Sequence, residues 1–94
     1  GALRGQAVTP SDRVDRCTRL LLEAARENGM AISGDGRVSE VDAARLLALS
    51  AGHLKNLRAA GEGPPAYVRG LAGYRISYRV EDLAAWVESG RDGT

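Results

Sequence analysis

The sequence has few of the residues that most often carry catalysis and cross-linking. It contains one cysteine, one histidine and no phenylalanine, and aromatic residues make up only 4% of its 94 positions. A single cysteine cannot form an internal disulfide, and Cys17 and His53 alone cannot complete a Cys/His zinc site. The apolar core must therefore be built from Leu, Val and Ala, and we expect Cys17 and the single Trp86 to lie in it.

The chain also lacks long apolar runs and the motifs of common catalysts. No stretch approaches the roughly 20 apolar residues of a membrane-spanning helix, and Gly1–Arg4 shows no apolar segment of a secretory signal. No glycine-rich loop has a nucleotide-binding spacing. We therefore expect a cytoplasmic protein, bacterial or phage-encoded, that is not an enzyme. We also expect no cofactor, metal, membrane or small-molecule substrate.

What is present is typical of one small domain. Hydrophobic residues at 44% and charged residues at 27% are ordinary values for a globular chain. We expect a flexible arm over residues 1–9, one folded domain over 10–90 and a short tail over 91–94.

Capping residues predict where the helices begin and end. Thr9-Pro10-Ser11-Asp12 favours a helix start, and the apolar stripe that follows stops at Asn28-Gly29. Ser39 repeats the capping pattern and predicts a second helix through Ala48 or Leu49. A third helix is predicted from about Ala51 to Ala60, and a fourth over 80–89.

The segments between the helices predict a small amount of β-structure. A short extended segment is expected around Arg37-Val38, and a hairpin is expected from Tyr67–Arg69 and Tyr74–Tyr78 around Gly70–Gly73. The resulting order is helix, short strand, helix, helix, strand, strand, helix. This order is typical of a mainly α fold with a small β-hairpin wing, the winged helix-turn-helix. We assign the helix-turn-helix to 39–61 and the wing to 66–79.

The apolar spacing of the second and third predicted helices fits a helix-turn-helix. Leu49, Leu54 and Leu57 lie five, ten and thirteen residues after the small Ala44, which are the positions where two steeply crossing helices pack. Ala48 stands where the turn often has glycine. A left-handed backbone conformation costs alanine more free energy than it costs glycine.

The exposed side of the third helix supplies candidate DNA contacts. Lys55 can contact guanine or phosphate, and Asn56 can bond bidentately to adenine. Small residues at the helix start let it sit deep in a groove, while the helix amides can approach a phosphate. The alternative is an ordinary solvated helix face. The candidate residues on this helix are Ser50, Gly52, His53, Lys55, Asn56 and Arg58.

The predicted hairpin adds Arg69, Arg75 and Tyr74 to this candidate DNA-binding set. Short basic wings lie along a phosphate backbone or enter the minor groove. The alternative is an ordinary hairpin with solubilising arginines. Tyr67 and Tyr78 are expected to pack the hairpin onto the helices.

Residues 39–90 resemble the MerR-like winged helix-turn-helix domains of phage excisionases and prophage regulators. The matching segments are Ser39–Ser50, Leu54–Pro65 and Tyr78–Val87, the last being similar to the ending Tyr-Arg-x-x-Asp-Leu-x-x-Trp-Leu. The resemblance implies double-stranded DNA binding, with the second helix of the motif in the major groove and the wing at the minor groove. Two features depart from it: a longer wing loop at Gly70–Gly73, and an additional helix and strand over 10–38.

Other functions remain compatible with the sequence. The scaffold can serve as a protein-protein interaction or oligomerisation module, or as the DNA-binding domain of a small terminase subunit. A homodimer or cooperative array is expected, because one small domain contacts few bases. The first helix is a candidate dimer seam, since Leu20 and Leu22 lie off its main apolar stripe.

The formal net charge of +1 conceals an uneven distribution. Residues 50–80 contain five basic side chains and Glu62 as their only acid, whereas acids outnumber bases over 81–94. The positive charge is thus concentrated on the third helix and the predicted wing, which is where we expect DNA to bind.

Overall fold

The computed structural model describes residues 9–69 and 75–90. Within them, the elements follow the predicted order: α1 (Pro10–Glu27), β1 (Arg37–Ser39), α2 (Glu40–Leu46), α3 (Ala51–Ala59), β2 (Tyr67–Arg69), β3 (Arg75–Arg79) and α4 (Val80–Ser89). The fold is mainly helical with a small antiparallel sheet. Of the arm predicted over residues 1–9, only Thr9 is described, and it caps α1. The predictions for the rest of the arm, for the loop Gly70–Gly73, for Tyr74 and for the tail 91–94 lie outside the described residues.

The sheet has β3 at its centre, in the order β1-β3-β2. Val38 pairs with Tyr78, and Val68 pairs with Ile76. Because side chains alternate between faces along a strand, these four residues share one face, whereas the arginines of the strands share the other. The helices cover Val38 and Tyr78 on the first face and leave Val68 58% exposed. The sheet therefore has one apolar side and one basic side.

The core lies between the apolar face of the sheet and the helices. Tyr78, Leu54 and Leu83 are its largest fully buried side chains. Leu21 and Leu22 of α1 pack against this cluster, and α1 also lies along α4. Seven residues form the buried cluster: Val38, Ala43, Ala44, Leu54, Tyr78, Val80 and Leu83.

Hydroxyl caps begin the first three helices, as predicted for α1 and α2. Thr9 and Asp12 form a full capping box at α1, in which each residue accepts from the other's backbone amide. Ser39 caps α2 by accepting from the amide of Asp42, and Ser50 caps α3 in the same way. These side chains satisfy backbone donors that the first turn of a helix leaves free.

The same three helices end with a left-handed residue: Gly29, Ala48 and Gly61. At α2, the amide of Leu49 donates to the carbonyl of Ala44 at 2.8 Å, which completes a Schellman cap. The predicted end of α2 at Ala48 or Leu49 was wrong, because the backbone reverses at Ala48 (φ 59°) and the helix stops at Leu46. Similarly, α3 ends at Ala59, one residue before the predicted Ala60.

Some side chains are more exposed than predicted. Trp86 is half-buried and lies outside the core cluster, because its ring nitrogen reaches out to the carbonyl of Glu62 at 3.0 Å. Tyr67 is 38% exposed and faces the guanidinium of Arg79 at 5.3 Å. It therefore does not pack the strands onto the helices as Tyr78 does. Cys17 is half-buried rather than buried, and its burial, with the charge of Glu88, raises the pKa of the thiol.

Candidate nucleic-acid interface

Helix α3 presents most of the predicted DNA-binding residues on one exposed side. Leu54 is fully buried beneath the helix and Leu57 is half-buried, which turns the remaining positions towards solvent. The hydroxyl of Ser50 accepts from the amide of His53 at 3.0 Å, and no acidic residue lies in the first turn. The exposed residues of this face are Ser50, Ala51, Gly52, His53, Lys55, Asn56 and Ala59.

Arg58 is the member of the predicted set that faces the protein. Its Nε donates to Oε2 of Glu40 at 2.8 Å, and a second guanidinium nitrogen reaches Oε1 at 3.3 Å. The Arg58 and Glu40 side chains are only 29% and 17% exposed. Arg58 therefore fixes α3 against α2, and its guanidinium is engaged within the protein.

Glu40 also accepts a hydrogen bond from the hydroxyl of Tyr78 at 2.7 Å, so its carboxylate joins α2, α3 and β3. The hydrogen bond from Arg58, with a smaller contribution from Tyr78, lowers the pKa of Glu40. Burial, together with the bond to Glu40, raises the pKa of Tyr78 to about 12. The carboxylate is thus charged and the phenol neutral across the physiological pH range. We call these three residues the Glu40 cluster.

The β2–β3 pair carries the two other predicted arginines directly opposite each other. Arg69 pairs with Arg75 in the strand register, both residues are exposed, and neither makes an ion pair within residues 9–69 and 75–90. Like charges at directly opposed positions destabilise a sheet. A polyanion bound across this pair would relieve that repulsion.

The other two arginines of the same sheet face differ from this pair because each has an acidic partner. Asp35 lies 2.8 Å from Arg37 and 3.6 Å from Arg79. Hydrogen bonds from Ser33 and Arg37 lower the pKa of Asp35 to about 2, so it remains charged. The uncompensated charge of the sheet is therefore concentrated at Arg69 and Arg75.

Helix α3 and the β2–β3 pair lie side by side along a surface groove. Lys55 and Arg58 line one wall, Val68 and Ile76 line the other, and Glu40 contributes to the groove as well. The exposed side of α3 and the paired strands are thus held as one unit by the Glu40 cluster. Such a unit can offer cations and amide groups to a single extended ligand.

The structure and the sequence prediction agree on which residues of α3 are exposed, apart from Arg58. Sequence analysis missed Glu40 and its hydrogen bonds to Arg58 and Tyr78, which position α3. Tyr78 itself was expected to pack the strands onto the helices, and it does. Glu40 is 18 positions from Arg58 and 38 positions from Tyr78 along the chain. No local sequence pattern indicates a contact at either separation. The only local signal is the Ser39 cap, which places Glu40 at the first position of α2.

Neither a metal-binding cluster nor a membrane-spanning helix is found among the described residues. Within 9–69 and 75–90, no three His, Cys, Asp or Glu side chains cluster closely enough to hold a metal ion. In the same part of the chain, no helix has both the length and the apolar character needed to cross a membrane.

In comparisons with known proteins, the chain matches no protein family, no curated protein and no solved structure.

Proposed function

We propose that the domain is a winged helix-turn-helix that binds double-stranded DNA of specific sequence. In this proposal α2 and α3 form the helix-turn-helix, and the β2–β3 pair is the wing. The role that fits best is a phage- or mobile-element-associated transcriptional regulator or excisionase-like factor. The observation that carries the proposal is the combination of an exposed side of α3 with no acidic residue in its first turn and a neighbouring strand pair that carries the exposed, uncompensated Arg69 and Arg75.

The dimensions of α3 suit the major groove. An α-helix with its side chains is about 10–12 Å in diameter, which fits a major groove about 12 Å wide. Ala51 and Gly52 add little bulk at the start of α3, and no Cβ-sized obstacle lies near Gly52. The first turn can therefore approach the bases closely, with its free amides directed at a phosphate.

Each exposed polar residue has a role in this proposal. Asn56 bonds bidentately to N6 and N7 of adenine, and Lys55 contacts guanine or a phosphate. Ser50 and His53 contact the backbone beside the start of the helix. Arg69 and Arg75 contact phosphates at the adjacent minor groove.

Arg58 has a positioning role in this proposal, because its guanidinium is bonded to Glu40. It sets the angle of α3 relative to the wing, so that both reach DNA together. Replacing Arg58 would then weaken binding by misplacing α3 and would lower stability as well. A combined loss of DNA affinity and of stability would distinguish Arg58 from Lys55 and Asn56.

The test begins with selection of bound duplexes from a random pool, followed by fluorescence anisotropy at increasing salt. With three or four phosphate contacts, log K should fall with log salt with a slope of about −3. Arg75→Ala should reduce the magnitude of that slope by about 1. Arg19→Ala is the matched control, since Arg19 is an exposed arginine of α1. An absence of binding to any duplex at low salt would refute the proposal and favour a protein-interaction module.

A further inference from the structure

Helix α1 has a stripe of side chains on the side turned away from the core. Its five residues recur at intervals of three and four, so they share one helix face. Four of them are exposed, and the fifth, Arg13, is half-buried at the edge beside α4. Leu20 at its centre is 61% exposed, the highest value among the large apolar side chains of the described residues. Ala25, buried against the protein, lies on the opposite side of the helix. The residues of this α1 stripe are Arg13, Arg16, Leu20, Glu23 and Glu27.

The charges of the α1 stripe run against the dipole of its own helix. Acidic side chains stabilise the N-terminal end of a helix and basic side chains its C-terminal end. Away from the stripe, Asp12 and Arg26 obey this rule. Within the stripe both arginines precede Leu20 and both glutamates follow it. In the described part of the chain no residue of α1 takes part in an ion pair.

We propose that the α1 stripe binds a second copy of the chain, with the two α1 helices antiparallel and Leu20 facing Leu20 across a twofold axis. This register places Arg13 opposite Glu27 of the partner copy and Arg16 opposite Glu23. Symmetry doubles each pair, so four ion pairs surround the two leucines. A parallel arrangement would instead bring like charges together. The charge pattern therefore selects both the partner and its orientation.

The contact is small, because one leucine and its charged neighbours form it from each side. Association through it is accordingly weak and sensitive to salt. The inference stands independently of DNA binding, since it depends only on α1. If the domain also binds DNA, the pairing would join two binding units and favour cooperative occupation of neighbouring half-sites.

Two variants in which opposite halves of the α1 stripe have reversed charges test the pairing directly. One variant carries Arg13→Glu and Arg16→Glu, and the other carries Glu23→Arg and Glu27→Arg. Sedimentation without DNA, up to about 1 mM protein, measures the dimerisation constant. The constant of each variant should be weaker than that of the native chain by up to about 30-fold. An equimolar mixture should recover association as a heterodimer, because one stripe is then acidic and the other basic.

The matched control reverses two arginines of α1 outside the stripe, Arg19→Glu with Arg26→Glu. It changes the net charge as much as the first variant does and should leave association at the native level. Circular dichroism confirms that each variant retains its helices. A native chain that stays monomeric at every concentration would overturn the proposal. So would variants that associate like the native chain, or a mixture that recovers nothing.

Cysteine cross-linking tests the antiparallel register. In a Cys17→Ala background, Leu20→Cys should form an interchain disulfide, because the two positions face each other. Glu27→Cys should not, since antiparallel helices place the two copies of position 27 about 21 Å apart, at 1.5 Å per residue. A disulfide requires Cα atoms within about 7 Å. Equal cross-linking of both variants, or cross-linking of Glu27→Cys alone, would contradict the proposed register.

Discussion

Replacement of Ala48 by glycine should stabilise the protein, because Ala48 occupies a position where the chain elsewhere uses glycine. The backbone φ is 59° at Ala48, 68° at Gly29 and 72° at Gly61. All three residues close a helix through the same pair of backbone hydrogen bonds. Only Ala48 carries a Cβ in this left-handed conformation. The turn between α2 and α3 therefore stores strain that the other two helix ends avoid.

Two opposing effects set the size of the change at Ala48. A left-handed conformation costs an L-residue about 1–2 kcal/mol relative to glycine. Glycine also gives the unfolded chain more conformational freedom than alanine does, which lowers the free energy of unfolding by about 0.4–1 kcal/mol. Ala48→Gly should therefore raise the free energy of unfolding by about 0.5–1 kcal/mol. For a domain of this size that corresponds to a rise in Tm of roughly 2–8 °C.

Urea unfolding followed by circular dichroism measures this change. Gly61→Ala is the reciprocal variant and should destabilise by about 1 kcal/mol, since an added Cβ there meets nothing within 4 Å and only backbone strain is introduced. Ala85→Gly, at an exposed position inside α4, should also destabilise by about 1 kcal/mol. If Ala48→Gly instead lowered the free energy of unfolding as Ala85→Gly does, the strain at the α2–α3 turn would be refuted.

The Glu40 cluster gives further predictions. Glu40→Gln keeps the shape of the side chain and removes its charge, so it should lower the free energy of unfolding by about 1–3 kcal/mol, measured by the same urea titration. Because the pKa of Glu40 is lowered in the folded protein, its contribution is complete above the ordinary value near 4.5 and is lost as the pH falls through the lowered value. The pKa of Tyr78 is raised to about 12, so its contribution is complete below pH 10 and is lost between pH 10 and 12. Thermal melts across that range should show this alkaline loss in the native chain, and Tyr78→Phe should lack it; an identical pH profile in both proteins would contradict the assignment.

The elements of the fold could be predicted because their signals are local. Ser39 and Ser50 begin helices by bonding to amides three residues away, so four consecutive residues contain the information. The end of α2 was predicted wrongly because two signals in the sequence disagree there. Alanine favours a continuing helix, whereas the helix-turn-helix spacing places Ala48 where the turn often has glycine, and the left-handed φ of 59° agrees with the spacing.

The candidate interface could be predicted only in part. Burial of Leu54 makes the opposite side of α3 exposed, and a helical repeat suffices to deduce this. The orientation of Arg58 could not be deduced, because it depends on a carboxylate that tertiary packing brings from another helix. Tyr67 and Trp86 illustrate the same limit. Aromatic residues are usually assigned to a core, but their polar or π-facing partners turn these two towards the surface.

In the proposed function, α3 reads the DNA sequence while the β2–β3 pair holds the backbone. The most direct test of this proposal is the affinity ratio between a selected duplex and a scrambled one, for the native chain, Asn56→Ala and Arg75→Ala. The proposed function predicts that Asn56→Ala lowers this ratio by about 10- to 100-fold, whereas Arg75→Ala weakens binding to both duplexes equally. A native ratio of one, or an Asn56→Ala ratio equal to that of the native chain, would contradict it.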